Sequence, residues 1–448
     1  MQIYDVIIVG GGISGTMASI AAAKNGAKVL LIEQYGFLGG MLTAGGVGPM
    51  MTFHAGSRQV IKGITGELID RLVKKGKSPG HIVDILEYTA TVTPFDAEAL
   101  KHELECMLLE QGGNLLYHSM LAEAEVSEGN IKSITICNKA GLSKLYAKVF
   151  VDATGDADLS YMSGVECNKG RKMDGICQPM TMNFKMANVD IKAIKEYVRA
   201  NPNELSIKNT ISHIDEASRF SMEGFADTLK NAKLRGEITF DRENILFFET
   251  NNLGEVIINT SRIHRCDATD PWELSRAEIE GRRQVRELEK LLKEKVAGFR
   301  DAFIVCSGPS VGVRSSRQIR GLYCLTQEDL LECRKFYDVV AHSAYPIDIH
   351  NPDGTGKTHV KLKSGDYYSI PYRCMVNSSV HNLITAGRCI STTFEAQAAI
   401  RTTPTVGAIG QAGGLAASLA ASGDLPARDI NINELQDILI AQGAYLER

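Results

Sequence analysis

The stretch that decides the fold is residues 4–34, YDVIIVGGGISGTMASIAAAKNGAKVLLIEQ. Residues 4–9 are largely apolar and β-branched, which is typical of a strand buried on both faces of a parallel sheet. Residues 14–25 predict a helix that Gly26 terminates, and residues 28–32 predict a second strand. The order strand, glycine turn, helix, strand therefore predicts a βαβ unit at the start of the chain.

The glycines of this stretch have the spacing G-x-G-x-x-G, at Gly10, Gly12 and Gly15, and Glu33 ends the second strand. In this context Gly10 permits the tight turn, Gly12 lets the backbone approach a pyrophosphate, and Gly15 lets helix and strand pack closely. The helix N-terminus offers N–H groups to phosphate, and Glu33 can accept hydrogen bonds from ribose hydroxyls. The motif predicts a dinucleotide site and does not distinguish FAD from NAD.

Composition and charge exclude several other classes. The 448 residues carry a net charge of −4, with 44% hydrophobic and 23% charged residues, so we expect two or three globular domains. No basic stripe points to a nucleic-acid partner. No stretch is apolar enough to cross a bilayer, and the first apolar run leads straight into the glycine motif. We therefore expect no membrane partner and a cytoplasmic location.

Ten cysteines are scattered along the chain, and no two form a C-x-x-C pair. This spacing argues against a redox dithiol and against a simple zinc site. We interpret the cysteines as reduced thiols packed as small apolar side chains, and we predict no metal.

Four further segments are rich in glycine or other small residues. They are GFLGGMLTAGG at 36–46, KVFVDATGDAD at 148–158, HNLITAGR at 381–388 and RTTPTVGAIGQAGGLAASLAAS at 401–422. Small residues let the backbone approach a flat, extended ligand, and the last segment predicts a helix with Thr and Pro at its start.

With these segments the chain resembles the FAD-dependent oxidoreductase family with the glutathione-reductase type of FAD domain. The matching stretches, in order, are the opening glycine motif, GFLGGMLTAGG, VFVDATGDADLSYMSGV, QPMTMNF, GVRSSRQIRGLYCLTQEDL, DVVAHSAYPIDIH, YSIPYRCMV, NLITAGRCIS and IRTTPTVGAIGQAGG. The resemblance covers nearly the whole length.

The resemblance implies an α/β fold, with a Rossmann-like FAD/NAD(P)-binding domain of three layers around a parallel sheet and an inserted mixed α+β substrate domain. We expect residues 1–160 to form the first part of the FAD domain, with an insertion at 49–95. Residues 161–370 would form the substrate or cap domain, and residues 371–448 the second part of the FAD domain.

The same resemblance implies a set of FAD contacts. The ADP half of FAD would lie on Gly10, Gly12, Ile13, Ser14, Gly15, Glu33 and Gln34, with adenine near Met120 and Leu121. The pyrophosphate, ribityl and flavin would lie near Gly39, Gly40, Met41, Ala153, Thr154, Gly155, Gly387, Arg388 and Thr405. The helix beginning near Pro404 would direct its positive end at flavin N1 and O2.

No second strand–G-x-G-x-x-G–helix unit follows, so we expect no separate NAD(P)H domain. The leading hypothesis is an enzyme that transfers a hydride between flavin N5 and a small molecule, with oxygen, a quinone, a small carrier or another protein as the second electron partner. The alternatives are a flavoprotein with chemistry that is not net redox, such as an isomerase or hydratase, and a non-catalytic flavin-binding protein. The sequence gives no prediction of oligomeric state.

Three residues are predicted as catalytic. His54 follows the glycine loop and would lie above the flavin ring or bond to it, or else pack as an ordinary histidine. His264 follows a predicted strand together with Arg262 and Arg265. These three residues would either bind a carboxylate substrate or form ion pairs between domains. Arg314 would clamp an anion, or donate a proton as arginine does in fumarate-reductase-like relatives, or be structural. Arginine and histidine together indicate an organic acid as substrate.

Overall fold

The computed structural model describes residues 3–206, 210–354 and 356–447. Its α-helices are α1 (Ile13–Lys24), α2 (Gly63–Lys74), α3 (Ala97–Glu110), α4 (Asp158–Met162), α5 (Ile191–Ala200), α6 (Thr210–His213), α7 (Ala226–Leu234), α8 (Pro271–Lys295), α9 (Gln327–Leu331), α10 (Phe394–Ile400), α11 (Thr403–Gly423) and α12 (Ile432–Ala441). Short 3₁₀ turns occupy Gly40–Leu42, Pro202–Glu204, Tyr372–Cys374 and Ala427–Asp429.

The strands, in chain order, are β1 (Ile3–Val9), β2 (Val29–Ile32), β3 (Met50–Met51), β4 (His54–Ala55), β5 (Arg58–Gln59), β6 (Ile82–Val83), β7 (Thr91–Thr93), β8 (Asn114–Leu116), β9 (Met120–Ser127), β10 (Asn130–Asn138), β11 (Gly141–Asp152), β12 (Cys167–Lys169), β13 (Phe184–Ala187), β14 (Ser221–Gly224), β15 (Ile245–Glu249), β16 (Val256–Ile258), β17 (Phe303–Ser307), β18 (Arg317–Ile319), β19 (Val339–Ser343), β20 (Ile347–His350), β21 (Lys357–Val360), β22 (Tyr368–Pro371) and β23 (Leu383–Thr385).

The first domain is built on a parallel sheet in the order β8-β2-β1-β11-β23. The predicted βαβ unit is its centre: β1 and β2 pair in parallel, α1 connects them, and Gly26 follows the helix with a φ of +85°. The first half of β11 pairs instead with β10 in an antiparallel meander that includes β9. The first strands and helix of the chain are therefore where the sequence predicts them.

Both faces of this sheet are covered, as its apolar strands require. Side chains on one face, such as Val6 and Ile8, pack against helices α1, α3 and α11. Those on the other face, such as Ile7 and Val9, pack with the β9–β10–β11 meander and α4. The domain has three layers, and the predicted α/β class with a parallel sheet is confirmed.

Helices α1 and α11 cross closely, which explains the small-residue run at the C-terminal end. A Cβ on Gly410 would lie 2.1 Å from the carbonyl oxygen of Ser14, and one on Gly414 would lie 1.9 Å from that of Ala18. Because these contacts leave no room for a side chain, the run serves helix packing along its length and reaches the cleft only at its N-terminus.

The second domain is an antiparallel sheet in the order β14-β15-β16-β13-β17. Its core includes Phe184 and Phe247 and the buried face of α8, with Leu288 and Leu292. Helix α8 begins where Asp270 caps it and Pro271 occupies its first position. This domain has the mixed composition that the sequence predicts.

The domain limits differ from the predicted ones. The core of the second domain draws on buried residues up to Val311, whereas Leu325, Val340 and Tyr368 already pack in the core of the first domain. The chain therefore returns to the first domain well before residue 371. The segment 49–95 also packs largely into the first core, because α2 lies against α1, α3 and α11.

No helix among the described residues combines the length and apolar character needed to cross a bilayer.

Candidate functional site

A cleft of about 580 Å³ opens at the carboxyl ends of β1, β2 and β11, a volume typical of small-molecule and cofactor sites. Sixteen of the eighteen predicted FAD contacts come together in its lining: Gly10, Gly12, Ile13, Ser14, Glu33, Gln34, Gly39, Gly40, Met41, Met120, Leu121, Ala153, Thr154, Gly155, Gly387 and Arg388. Side chains of the second domain, including Ala268, Leu274, Ser275 and Glu278, complete the wall. Segments far apart in sequence thus form one continuous cleft.

The three motif glycines have different roles. Gly10 has a φ of +100°, which favours glycine, and a Cβ there would lie 2.5 Å from the carbonyl oxygen of Ala153. A Cβ on Gly15 would lie 1.8 Å from the carbonyl oxygen of Gly10. A Cβ on Gly12 would meet only the Cα of Gly40, at 3.8 Å, and would otherwise project into the cleft. Gly10 and Gly15 therefore close the turn, and Gly12 keeps the cleft open.

The N-terminus of α1 faces this open space. Gly12 is the N-cap and supplies no side-chain acceptor, so the first N–H groups of the helix are left for a ligand. The Ser14 hydroxyl is buried in the cleft wall without a hydrogen-bond partner among the described residues. These donors fit a pyrophosphate.

Glu33 lies at the end of β2, where the motif places a ribose ligand. Its carboxylate accepts hydrogen bonds from the backbone N–H of Gly11 at 2.6 Å and of Tyr35 at 2.8 Å. Burial raises the pKa of this carboxyl, and these backbone N–H groups counteract part of the rise. The backbone thus holds the carboxylate against the cleft, in the position for ribose hydroxyls.

Arg388, in the lining of the cleft, pairs with Asp156 and lies next to Gly155. The Arg388 Nε atom is buried and has no hydrogen-bond partner among the described residues. Helix α11 begins beside it at Thr403, and its N-cap, Thr402, makes no side-chain capping bond. A positive helix end and a guanidinium therefore adjoin each other, which fits a ligand that carries or accumulates negative charge.

Two predicted cofactor residues do not line the cleft. Gly15 is packed under the turn. The Thr405 side chain is fully buried, and its hydroxyl pairs with the Ser343 hydroxyl at 2.8 Å and the Thr402 hydroxyl at 3.1 Å. Both residues shape the cleft from behind its surface, so the predicted direct contacts from them are not what the structure provides.

A second, smaller pocket of about 170 Å³ joins this cleft. The two share five lining residues: Met41, Val313, Arg388, Arg401 and Thr403. An engineered apolar cavity of about 150 Å³ holds benzene, so a pocket of this size suits a small organic molecule. Its position at the uncapped end of α11 places such a molecule beside the part of the cleft that Met41, Arg388 and Thr403 line.

Basic side chains dominate this pocket. Its lining includes Arg242, Arg314, Arg388, Arg401 and Lys357, against the single carboxylate of Asp348. We call this set the cationic pocket. Apolar side chains form the rest of the wall, among them Val47, Met51, Leu246 and Phe248. The pocket therefore combines anion-binding groups with an apolar surface.

Asp348 is the centre of the polar network. Its Oδ2 atom lies 3.3 Å from His350 Nε2 and 3.4 Å from the Tyr345 hydroxyl, and Arg401 Nη2 lies 3.3 Å from its carbonyl oxygen. Arg314 donates from Nη1 to the carbonyl oxygen of Pro179 at 2.6 Å. The guanidinium of Arg401 keeps a buried Nε without a partner among the described residues. These groups are held in place by the protein and still offer free donors.

The electrostatics of the network follow from burial and the excess of arginines. Burial, together with Arg401 and Arg242, holds the pKa of Arg314 well below its usual range. Burial and the charge of Arg314 likewise keep the pKa of His350 well below 6.5, so this histidine is neutral near pH 7. Burial alone would raise the pKa of Asp348, but the neighbouring His350, Arg401 and Lys357 lower it. The pocket is therefore positive and lacks a matching anion.

Of the predicted catalytic residues, only Arg314 lies in this pocket. His54 lines a separate surface groove, where its Nδ1 lies 3.1 Å from the Thr91 hydroxyl and its ring contacts His81. His264 lines a third cavity with Arg262. Neither histidine borders the cleft or the cationic pocket. The predicted position of His54 above the flavin ring therefore does not agree with the structure, and His264 lies apart from the carboxylate-binding groups of the cationic pocket.

Sequence reasoning missed Arg242, Asp348, His350 and Arg401. A signal was present for two of them, because Asp348 and His350 alternate along β20 and so point to one side of it. Arg242 and Arg401 come from different domains, and only the folded chain brings them together. Among residues 3–206, 210–354 and 356–447, no group of three or more His, Cys, Asp or Glu side chains is arranged to hold a metal ion.

Comparison with curated proteins finds relatives that match only part of this chain. The chain is 27% identical to a thiamine thiazole synthase of Methanococcus aeolicus over 181 aligned residues. This alignment covers 38% of this chain and 60% of that protein. The chain is 45% identical to a cinnamate reductase of Clostridium sporogenes over 69 aligned residues, which cover 15% of this chain and 10% of that protein. The chain thus spans less than two thirds of the curated relatives it matches.

Solved structures align over most of the chain but at low similarity. A geranylgeranyl bacteriochlorophyll reductase-like protein from Thermoplasma acidophilum aligns over 99% of this chain and 85% of its own, at 12% identity and a TM-score of 0.48. The profile of the FAD dependent oxidoreductase family matches residues 5–439. The chain therefore belongs to the FAD-dependent oxidoreductase family, and FAD is its cofactor.

Proposed function

We propose that this protein is a flavoenzyme that transfers a hydride between FAD and a small organic acid held in the cationic pocket. The observation that carries the proposal is the placement of Arg242, Arg314 and Arg401 in a pocket that joins the FAD cleft. FAD, when bound, supplies a hydride acceptor or donor at N5. No second nucleotide motif is present in the sequence, which supports a reaction in which the substrate exchanges electrons with FAD directly.

The arginines are suited to bind and orient a carboxylate. A guanidinium offers planar paired donors that match a carboxylate, and the low exposure of the pocket strengthens such pairing. Arg242 has only 4% of its surface exposed, and Arg401 16% of its side chain. Burial, and after it the repulsion from the neighbouring arginines, lowers the pKa of Arg314, and an anion here offsets that repulsion. Its apolar part would lie against Leu246 and Phe248.

His350 is suited to hold the proton that accompanies hydride transfer. Because Asp348 is ionised, His350 donates from Nε2 to it, which leaves the lone pair on Nδ1. That Nδ1 atom is buried and has no hydrogen-bond partner among the described residues. His350 Nδ1 would therefore take the proton when the substrate is oxidised, and return it when the substrate is reduced.

The cinnamate reductase among the relatives is named for a carboxylate, although only 69 residues match it. It is consistent with an acid as substrate and does not identify which acid.

The proposal is tested by anaerobic mixing of the FAD-loaded protein with a panel of small carboxylic and hydroxy acids, in both redox states of the flavin. We expect at least one acid to bleach the oxidised flavin absorbance, or to restore it from the reduced state. Arg314→Gln should raise the acid concentration needed by about tenfold or more, the equivalent of about 1.4 kcal/mol.

The matched control is Arg320→Gln, because Arg320 is an exposed arginine of the same segment whose side chain pairs with Glu166 at 2.8 Å. It should leave the acid dependence unchanged. If an acid is converted without any change in flavin absorbance, the chemistry is not net redox and the proposal is wrong.

A further inference from the structure

A third cavity, of about 340 Å³, lies in the second domain and is distinct from the FAD cleft and the cationic pocket. It is lined by Thr239, Phe240, Asp241, Arg262, Ile263, His264, Arg276, Glu280 and Gln284. None of these residues lines either of the other two sites. The function proposed above makes no use of this cavity.

The unusual group in this cavity is Arg262. Its side chain is 1% exposed, and its Nε and Nη2 atoms are buried without a hydrogen-bond partner among the described residues. Only Nη1 is paired, with Glu243 at 3.2 Å, and 47% of that glutamate side chain is exposed. Burying guanidinium donors without hydrogen-bond partners costs free energy of folding. Arg262 therefore requires an acceptor that the described residues do not supply.

The protein fixes Arg262 in this position. The backbone N–H of Arg262 donates to Gln284 Oε1 at 2.8 Å, and Gln284 Nε2 donates back to the carbonyl oxygen of Arg262 at 3.0 Å. Gln284 belongs to the long helix α8, and it is itself buried. A reciprocal pair of this kind holds the arginine as a built part of the cavity.

The carboxylates in the cavity wall already have cationic partners. Glu280 accepts hydrogen bonds from Arg283 and from Gln284 Nε2. Asp241 lies 3.7 Å from Lys233. Arg276, at the exposed rim, uses Nη2 to bond the carbonyl oxygen of Arg265 and has no carboxylate partner among the described residues. The surplus charge in the cavity is therefore positive.

We infer that this cavity binds a small oxyanion, a carboxylate or a phosphate, with Arg262 as its main ligand and His264 and Arg276 beside it. A guanidinium with Nε and one Nη free presents the two parallel donors that a planar or tetrahedral oxyanion accepts. His264 supplies a further ring N–H. The site is separate from the reaction centre and does not depend on the proposed substrate.

The test is isothermal titration of the FAD-loaded full chain with inorganic phosphate, and separately with acetate, at constant ionic strength. Because the cationic pocket also attracts anions, the titrations are made in an Arg314→Gln background as well as in the natural chain. We expect one saturable site that persists in that background. Arg262→Met should weaken it by about tenfold or more, and Arg276→Gln by a smaller factor.

Arg286→Gln is the control, because Arg286 is an exposed arginine of the same helix with a side chain 75% exposed. It should leave the titration unchanged. Stronger binding of phosphate than acetate would assign the ligand to phosphate compounds, and the reverse order to carboxylates. If Arg262→Met does not fold, Arg276→Gln decides the question. Binding that neither variant weakens, or no saturable binding of either probe, overturns the inference.

Discussion

At the scale of single residues, the FAD site depends on the absence of one side chain. A methyl group on Gly12 would touch only the Cα of Gly40, at 3.8 Å, and would otherwise occupy the cleft at the start of α1. The φ of Gly12 is −63°, which any residue adopts without strain. A substitution here should therefore weaken ligand binding and leave the fold unchanged.

We predict that Gly12→Ala folds normally and loses FAD. Its FAD affinity should fall by about tenfold or more, the equivalent of about 1.4 kcal/mol, because the methyl group displaces the pyrophosphate from the helix N-terminus. The measurement is the ratio of flavin to protein after dialysis, together with the circular dichroism of the protein.

Gly15→Ala is the matched comparison. Its methyl group would lie 1.8 Å from the carbonyl oxygen of Gly10, so the turn itself must move. Overpacking of this kind costs about 1–3 kcal/mol of stability. A Gly12→Ala protein that keeps its full FAD content, or one that is destabilised as much as Gly15→Ala, would contradict this description of the motif.

His350 gives a second prediction at this scale, and the sign follows from its surroundings. Burial and Arg314 lower its pKa, so the free protein carries it neutral near pH 7. A bound carboxylate neutralises part of that positive charge and raises the pKa again. Binding of an acid should therefore be accompanied by proton uptake, and the uptake should increase as the pH falls.

The proton uptake is measured by calorimetric titration of a bound acid in buffers that differ in ionisation enthalpy. His350→Gln should reduce the uptake to near zero while acid binding persists through the arginines. Uptake that is the same in His350→Gln would show that another group takes the proton.

These residues also show what a sequence can predict of a site. The contacts at the opening turn were predictable because a βαβ unit and its glycines are local in sequence, and the shape of a Rossmann turn follows from them. The distant contacts, such as Met120, Ala153 and Gly387, were predicted only from the resemblance to the family. The cationic pocket was only partly predictable. Arg242 and Arg401 lie about 160 positions apart and in different domains, so no spacing rule connects them. His54 and His264 have suitable chemistry, but the fold places them in other cavities.

At the scale of elements, the C-terminal segment is held by one buried histidine of β19. His342 is 1% exposed, accepts a hydrogen bond at Nε2 from the backbone N–H of Glu447 at 3.1 Å, and lies with Nδ1 3.2 Å from the Ser369 hydroxyl. Its ring also contacts Tyr367 and Tyr445. Burial lowers the pKa of His342 to about 4, so it is neutral in the folded protein.

The sign of the pH effect follows from this lowered pKa. The unfolded chain binds a proton at this position below about pH 6.5, and the folded chain only near pH 4, so stability is lost as the pH falls between the two. The full span corresponds to roughly 3 kcal/mol. His342→Gln should lose less stability over this interval than the natural chain, as measured by denaturant unfolding at fixed FAD concentration.

The control for this prediction is His102→Gln, since His102 is an exposed histidine on α3. It should leave the pH dependence of the natural chain unchanged. A His342→Gln protein with the same loss of stability as the natural chain would show that other groups cause the acid sensitivity.

Element boundaries were predicted best where the pattern is periodic or capped. Helix α1, predicted over residues 14–25, spans Ile13–Lys24, because the glycine turn before it and Gly26 after it mark its ends. The limits of the second domain were predicted less well. The stretch from Leu325 to Ile370 has no composition that distinguishes it from its neighbours, and only its packing shows that it belongs to the first core.

At the scale of the whole molecule, the FAD cleft lies between two separately built cores. Its floor comes from the parallel sheet, and part of its wall from Ala268, Leu274 and Glu278 of the second domain. A ligand in the cleft therefore contacts both domains and should stabilise them together.

We predict that removal of FAD lowers the thermal midpoint of the protein and that added FAD restores it in a concentration-dependent way. Saturation at about one hundred times the dissociation constant corresponds to about 2.7 kcal/mol. The measurement is a thermal unfolding series against FAD concentration. A midpoint that does not change with FAD would mean that the cofactor does not bridge the two cores.

The most direct test of the central claim is a crystal structure of the FAD-loaded protein soaked with an acid that changes its flavin absorbance. The predicted result is an isoalloxazine at the junction formed by Met41, Arg388 and Thr403, with the carboxylate between Arg314 and Arg401 and His350 beside it. A flavin elsewhere, or an acid bound away from these arginines, would contradict the claim.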